Sequence, residues 1–183
     1  MRVIAGRAGG VRLVSPKSGV RPTMDRVKAA IFSSLGEIVI GSRVLDLFAG
    51  TGALGIEALS RGAESALFVE QDRQSIVAIE KNLAKAGFRS RVRQQDVFGY
   101  LKSGGDEKFQ IIFADPPYEN MKSGEQFTER LLDDENLPKL LEADGIFVLE
   151  KRPSEKFSVL KMWELIRQKK YGATEVLFLS LIK

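Results

Sequence analysis

Two short strings hold the residues whose types and spacing could do chemistry: "VLDLFAGTGALG" at 44–55 and "DPPY" at 115–118. In the first, Gly50-Thr51-Gly52-Ala53-Leu54-Gly55 is a G-x-G-x-x-G loop, and Glu70 follows at the distance of the ribose acid in a dinucleotide site. The charge ahead of the loop argues against a dinucleotide. Asp46 stands just before the glycines, where a pyrophosphate would sit against the loop and the next helix. Two unit charges ~4 Å apart repel by about 4 kcal/mol at an effective dielectric of about 20.

A cofactor with a cationic end reverses that sign. S-adenosylmethionine is such a molecule, with an ammonium and a sulfonium for Asp46, a ribose diol for Glu70 and an adenine amine for Asp96. Gly50 and Gly52 let backbone approach a ligand where a Cβ would clash. In the second string, Pro116 and Pro117 lack a donor N–H and fix their own φ, which makes a rigid corner. Asp115 and the Pro116 carbonyl can both accept hydrogen bonds from an NH₂ group, and Tyr118 can stack on a base for about 1–3 kcal/mol. An amine on an aromatic base is a poor nucleophile, because its lone pair is delocalised into the ring. Acceptors aimed at its hydrogens favour a pyramidal nitrogen whose lone pair faces a methyl donor. Asp115 can also take the released proton.

The composition narrows the alternatives. With no Cys and no His, the chain has no thiol nucleophile, imidazole base or thiolate metal site, so proton transfer falls to carboxylates, Lys, Tyr, backbone or water. No metal is expected. No apolar run approaches ~18 residues, and Arg2 and Arg7 interrupt the start too early for a signal peptide, so the expected setting is cytoplasmic with no membrane contact. Residues 1–30 carry seven basic groups against the single acid Asp25, whereas the rest of the chain sums to −2. A basic head on a near-neutral body points to an anionic partner, nucleic acid first among them.

The elements that must position these residues follow from periodicity. Residues 1–20 read as a small β-hairpin, and "TMDRVKAAIFSSLG" as a helix capped by Thr23, with Met24, Val27, Ile31 and Leu35 on its apolar side and Arg26 and Lys28 off it. Strand-like runs at 43–48, 65–70, 91–96, 109–115 and 145–150 alternate with helical stretches at about 53–61, 73–86 and 125–142. That alternation predicts an α/β fold with a parallel sheet covered on both sides, closed by an antiparallel hairpin turning near Tyr171-Gly172. Ligands in such sheets sit at the carboxyl ends of the strands, where Asp46, Glu70, Asp96, Asp115 and Glu150 all fall. Two units are expected: an N-terminal hairpin and helix at 1–36, in contact with RNA, and a cofactor-binding catalytic domain at 37–183.

These strings, in this order, resemble class I S-adenosylmethionine-dependent methyltransferases acting on exocyclic amines of nucleic acid bases, whose sheet is Rossmann-like. "RPTMDRVKAAIFSSL" ahead of them is similar to the bacterial 16S rRNA guanine-N2 methyltransferases, the enzymes named for guanine 966. The resemblance implies cofactor contacts from Asp46, Phe48, Ala49, Gly50, Thr51 and Gly52, from Glu70 to ribose and from Asp96 to adenine; Gly55, Gln71 and Val97 complete the expected cofactor set. It implies catalysis around Asp115, Pro116, Pro117 and Tyr118, on a guanine turned out of its stack. Arg21, Thr23, Arg26 and Lys28 are the candidates for contact with 16S rRNA, free or within a small subunit or an assembly intermediate, by a monomeric enzyme. "GRAGGVRL" lacks the aromatic and further basic residues expected of the family's hairpin. An acid at 115 fits adenine N6 as well as guanine N2, so an adenine-N6 enzyme on DNA or RNA is the alternative.

Overall fold

Short apolar runs without polar alternation cannot face water on either side, so they must form the centre of a layered sheet. A computed structural model describes residues 1–15, 25–103, 105, 107–117, 126–155, 157 and 160–183. Its strands are β1 (Arg43–Leu47), β2 (Ser65–Glu70), β3 (Arg91–Gln94), β4 (Phe109–Ala114), β5 (Leu141–Lys151), β6 (Trp163–Tyr171) and β7 (Thr174–Leu181). They form one sheet in the order β3-β2-β1-β4-β5-β7-β6. All pairings are parallel except β5 with β7 and β6 with β7, so the expected closing hairpin is present. The strand order reverses between β1 and β4, the position at whose carboxyl edge sheets of this kind bind their ligands.

Helices α1 (Asp25–Leu35), α2 (Ala53–Ser60) and α3 (Arg73–Ala86) cover one face, and α4 (Val97–Ser103) and α5 (Phe127–Leu132) the other. The first layer buries Val27, Ile31, Phe32, Ile56, Ile79 and Leu83 against Val44, Phe68 and Phe113. The second buries Phe98, Leu101, Leu131 and Leu132 against Leu45, Leu67 and Ile112. No helix among the described residues is long and apolar enough to cross a membrane.

Three local expectations are corrected. The helix expected over 125–142 ends at Leu132; Asp134 Oδ1 then accepts from the Asn136 and Leu137 N–H groups at 2.8 and 2.9 Å, and the chain passes through a 3₁₀ turn (Leu137–Leu140) directly into β5. The third strand stops at Gln94, because Asp96 Oδ2 accepts from Gly99 N–H at 2.8 Å and starts α4, a helix absent from the periodicity reading. Among the described residues, the N-terminal hairpin is reduced to a single antiparallel bridge between Arg2 and Arg12.

That reduction has a cause. The backbone donors of Ile4 and Ala5 turn to the Glu57 carboxylate of α2, at 2.7 and 3.1 Å, and Ala8 N–H donates to Ser60 Oγ at 2.9 Å. Gly6, at φ 81°, lies so close to the Ser60 carbonyl that a Cβ there would fall 1.8 Å from its oxygen. Val3, Ala8 and Leu13 therefore share a core with α1, α2 and the sheet, so the opening residues 1–15 and α1 pack in the same layer as the catalytic unit.

Candidate functional site

The pairing register builds the site. Val69, Leu47, Ala114 and Leu149 lie level across β2, β1, β4 and β5. The next residue on each strand is therefore Glu70, Phe48, Asp115 and Glu150, a row of three carboxylates and one aromatic along the carboxyl edge. Asp46 lies two residues deeper on β1, on the α2 face of the sheet, level with Phe68 and Phe113.

Two of these acids, Asp46 and Glu70, are held by backbone donors. Asp46 is buried, and its Oδ2 accepts from the Gly55 N–H in the first turn of α2 at 2.9 Å. Burial pushes its carboxyl up to about 8, and the nearby charges of Asp115 and Glu70 push the same way, against the pull of the Gly55 N–H. Glu70 bridges two segments: its Oε2 accepts from Gly50 N–H and its Oε1 from Asp72 N–H, both at 2.8 Å. A carboxylate has about four lone-pair directions, so Glu70 keeps acceptor capacity beyond these two bonds. Asp96 is exposed at the start of α4 with Val97 buried behind it, and Gln71 is exposed beside Glu70.

The loop between β1 and α2 needs unusual backbone. Phe48 (φ 55°) is the one non-glycine residue with positive φ among those described, and Gly50 (φ 55°) and Gly52 (φ 74°) follow it. Residues in this region concentrate at ligand sites, where surrounding structure over-determines them. Gly55 also has a packing role: a Cβ there would come 2.4 Å from Phe68 Cε1, so its bareness lets α2 close on the sheet. Ala49 and Thr51 are buried within the loop. Phe48 meets Phe127 and Phe98 edge-on at 5.6 and 6.3 Å, and the Arg130 guanidinium lies 3.7 Å over Phe98. An apolar aromatic wall thus flanks the acidic row.

Two buried polar residues that periodicity did not single out organise this region. Asn82 of α3 donates through Nδ2 to the carbonyls of Thr51 and Val14, both at 2.9 Å, and accepts from Val14 N–H at 2.7 Å. Glu57 accepts from Arg61 Nε at 2.7 Å and lies 3.5 Å from Lys28 Nζ, both its own and the lysine's side chain fully buried. A signal for Glu57 exists in the sequence: "ALGIEALS" is apolar all round apart from this acid, and a wholly buried helix can carry a charge only with a partner.

The expected placement of Lys28 is overturned. It does not lie off the apolar side of α1; its ammonium donates to the Arg2 carbonyl at 2.5 Å and faces Glu57, so it is structural and out of reach of any polyanion. Burial lowers its ordinary pKa against the opposing pull of Glu57. Arg26 is exposed on the same helix. Asp115 is half-buried, Pro116 buried and Pro117 exposed at the end of β4, while Tyr118, Arg21, Thr23 and Met24 lie outside the described residues. A surface depression lined by Leu83, Phe88 and Arg89 opens at the other edge of the sheet, before β3, and none of the row's carboxylates reaches it.

A crowd of carboxylates, one forced towards its neutral form, is an arrangement that a cationic guest relieves. That is the fit expected for the ammonium and sulfonium of S-adenosylmethionine, and the reverse of what a pyrophosphate needs. Comparison with known proteins agrees in kind. The family model described as conserved hypothetical protein 95 matches residues 1–180. The Bacillus subtilis (strain 168) protein named "Putative rRNA methyltransferase YlbH" is 37% identical over 182 residues, covering 96% of each chain. Ribosomal RNA small subunit methyltransferase D of Haemophilus influenzae is 32% identical, over 94% of this chain and 89% of that protein. Among solved structures, "Putative methyltransferase yhhF" from Escherichia coli matches with a TM-score of 0.81 at 31% identity, covering 99% of this chain and 97% of that one.

Proposed function

The chain belongs to the family of the ribosomal RNA small subunit methyltransferases D, and we propose from this that it methylates the exocyclic N2 amine of a guanine in 16S rRNA. The observation that carries the reading is the row Glu70, Asp115 and Glu150 with Asp46 beneath it, anionic where a cationic methyl donor must lie beside a proton acceptor. S-adenosylmethionine, when bound, supplies the electrophilic methyl group and its sulfonium leaves as a neutral thioether. Asp46 and the bare Gly50 and Gly52 hold its amino-acid end in this reading, Glu70 and Gln71 its ribose, Asp96 and Val97 its adenine, with Phe48, Ala49 and Thr51 shaping the loop.

Asp115 and the Pro116 carbonyl receive the two hydrogens of the guanine amine, which turns the nitrogen lone pair out of conjugation and towards the methyl group. Pro117 stiffens the corner, Tyr118 stacks on the base, and Asp115 Oδ takes the proton the amine loses as the C–N bond forms. The amine lies in a groove of paired RNA, so the base must leave its stack to reach Asp115. The first 36 residues form the RNA-contact element, with Arg21, Thr23 and Arg26 as its candidate contacts. The partner is 16S rRNA, within the small subunit or an assembly intermediate, met by one copy of the chain in the cytoplasm.

The test is methyl transfer to small subunits whose rRNA lacks the modification, followed by digestion to nucleosides. N2-methylguanosine is the expected product, and N6-methyladenosine overturns the substrate assignment. Asp115→Ala is expected to slow transfer by about 10²–10⁴-fold, the range of general acid–base contributions. An Asp115→Ala protein working at the full rate removes Asp115 from the chemistry.

A further inference from the structure

Strand β6 is the outer margin of the sheet, hydrogen-bonded on one side to β7, and every residue from Glu164 to Lys170 is exposed. Its two faces can be told apart by register. Val176 and Phe178 of β7 belong to the core beneath α1, whereas Leu177 and Leu179 belong to the opposite core. Lys169 pairs with Val176 and Arg167 with Phe178, across a bulge at Ile166, so both cations stand on the α1 face. Lys169 Nζ reaches Ser34 Oγ of α1 at 3.3 Å, which joins the strand to the helix. The acid at this end of the hairpin, Glu175, is turned to the other face, where it binds Lys151 and Gln168 at 2.8 and 2.7 Å.

Protecting an edge strand from pairing with another chain does not account for this pattern. The bulge at Ile166 already interrupts the ladder, and Arg167 and Lys169 project from a face of the sheet rather than along its open edge. Arg26 is exposed on α1 eight residues before Ser34, a separation of ~12 Å at about 1.5 Å per residue. Arg167 and Lys169 therefore form a short strip of cations, and Arg26, turned about 80° around α1 from Ser34, extends it on the solvent side of the helix. The strip opens onto the site: β5 ends at Lys151, which pairs with Glu175, so the β6–β7 turn lies at the same edge as Asp115.

We infer that the face made by α1 and β6, through Arg26, Arg167 and Lys169, grips the phosphate backbone of the substrate RNA beside the carboxyl edge; the inference rests on the rRNA reading above. The strip supplies affinity and register without reading bases, as phosphate contacts do. Each phosphate neutralised contributes ~0.7–0.9 to the slope of log affinity against log salt, which at 0.15 M salt is about fourfold in affinity per contact.

The experiment measures binding of an unmethylated 16S rRNA transcript by the full chain and by R167Q/K169Q, from about 0.05 to 0.3 M KCl. S-adenosylhomocysteine affinity and sedimentation of both proteins serve as controls for folding and association. The double variant is expected to lose about tenfold or more in RNA affinity at 0.15 M KCl and to show a salt slope shallower by about 1.5, with cofactor affinity unchanged. Unchanged RNA affinity and slope overturn the inference while leaving the substrate reading intact. A variant that self-associates with its RNA affinity intact overturns it too, in favour of edge protection. If the parent protein itself binds the transcript without salt dependence, the substrate reading fails and this one with it.

Discussion

Replacing Asp46 by Asn removes a carboxyl that burial, with Asp115 and Glu70 nearby, pushes up to about 8. In the unfolded chain the same group ionises near 3.9, so between about pH 4 and pH 8 the unfolded state releases a proton that the folded state keeps. A group whose pKa is raised by folding contributes stability that is complete below its unfolded pKa and lost as pH rises through the folded one. Asp46 therefore costs the cofactor-free fold ~1.4 kcal/mol per pH unit over that window, or about 4 kcal/mol from pH 5 to pH 8. Asn has the same shape and still offers Gly55 N–H an acceptor, yet it does not titrate. Urea denaturation of the cofactor-free Asp46→Asn and parent proteins at pH 5, 6.5 and 8 reads the difference directly. The advantage of the variant is expected to grow by about 4 kcal/mol across that range and to level off above pH 8. An advantage that does not change with pH refutes the reasoning, because it means that Asp46 is already ionised in the fold at pH 5. With Asp46 against the cofactor's cationic end, as proposed, the parent's affinity for S-adenosylmethionine is expected to climb by up to tenfold per unit between about pH 6 and 8, since a cation binds best to the ionised form. The variant should bind more weakly and lack that climb.

Two further substitutions test the framework around the site. Glu57→Gln leaves Lys28 buried without its counter-charge, which should cost about 3–5 kcal/mol in urea denaturation and speed trypsin cleavage at Arg2, Arg7 and Arg12; unchanged stability would mean that Lys28 is carried neutral. Gly55→Ala drives a Cβ to 2.4 Å from Phe68 Cε1, an overpacking of about 1–3 kcal/mol that should lower the melting temperature by several degrees. A melting temperature equal to the parent's would show that the ring can yield.

What the sequence made legible was whatever its local chemistry decided. Helix α3 begins and ends where expected because Asp72 accepts from Ser75 N–H at 2.8 Å at one end and Gly87 takes φ 75° at the other. The carboxylates fall in one row because parallel register places the residue after each apolar run at the same edge, a regularity that spacing alone conveys. What stayed hidden was decided by residues far apart in the chain. Lys28 has the spacing of an exposed residue on α1, and only Glu57, 29 positions on, turns it inward. The opening hairpin carries alternating residues, yet Glu57 and Ser60 take the donors of Ile4, Ala5 and Ala8 and leave one bridge among the described residues. Arg167 and Lys169 look like ordinary edge cations until the register of β7 shows which way they face.

Asn82 ties these distant parts together. Its one amide holds the chain at Val14, just before the segment bearing Arg21 and Thr23, and also the Thr51 carbonyl between the two site glycines. Neither strand of that junction can slide without orphaning a buried dipole, at about 1–3 kcal/mol for each one stranded. The opening stretch of the polypeptide and the glycine turn are in effect riveted, so a pull on the one is felt at the other without any hinge between them.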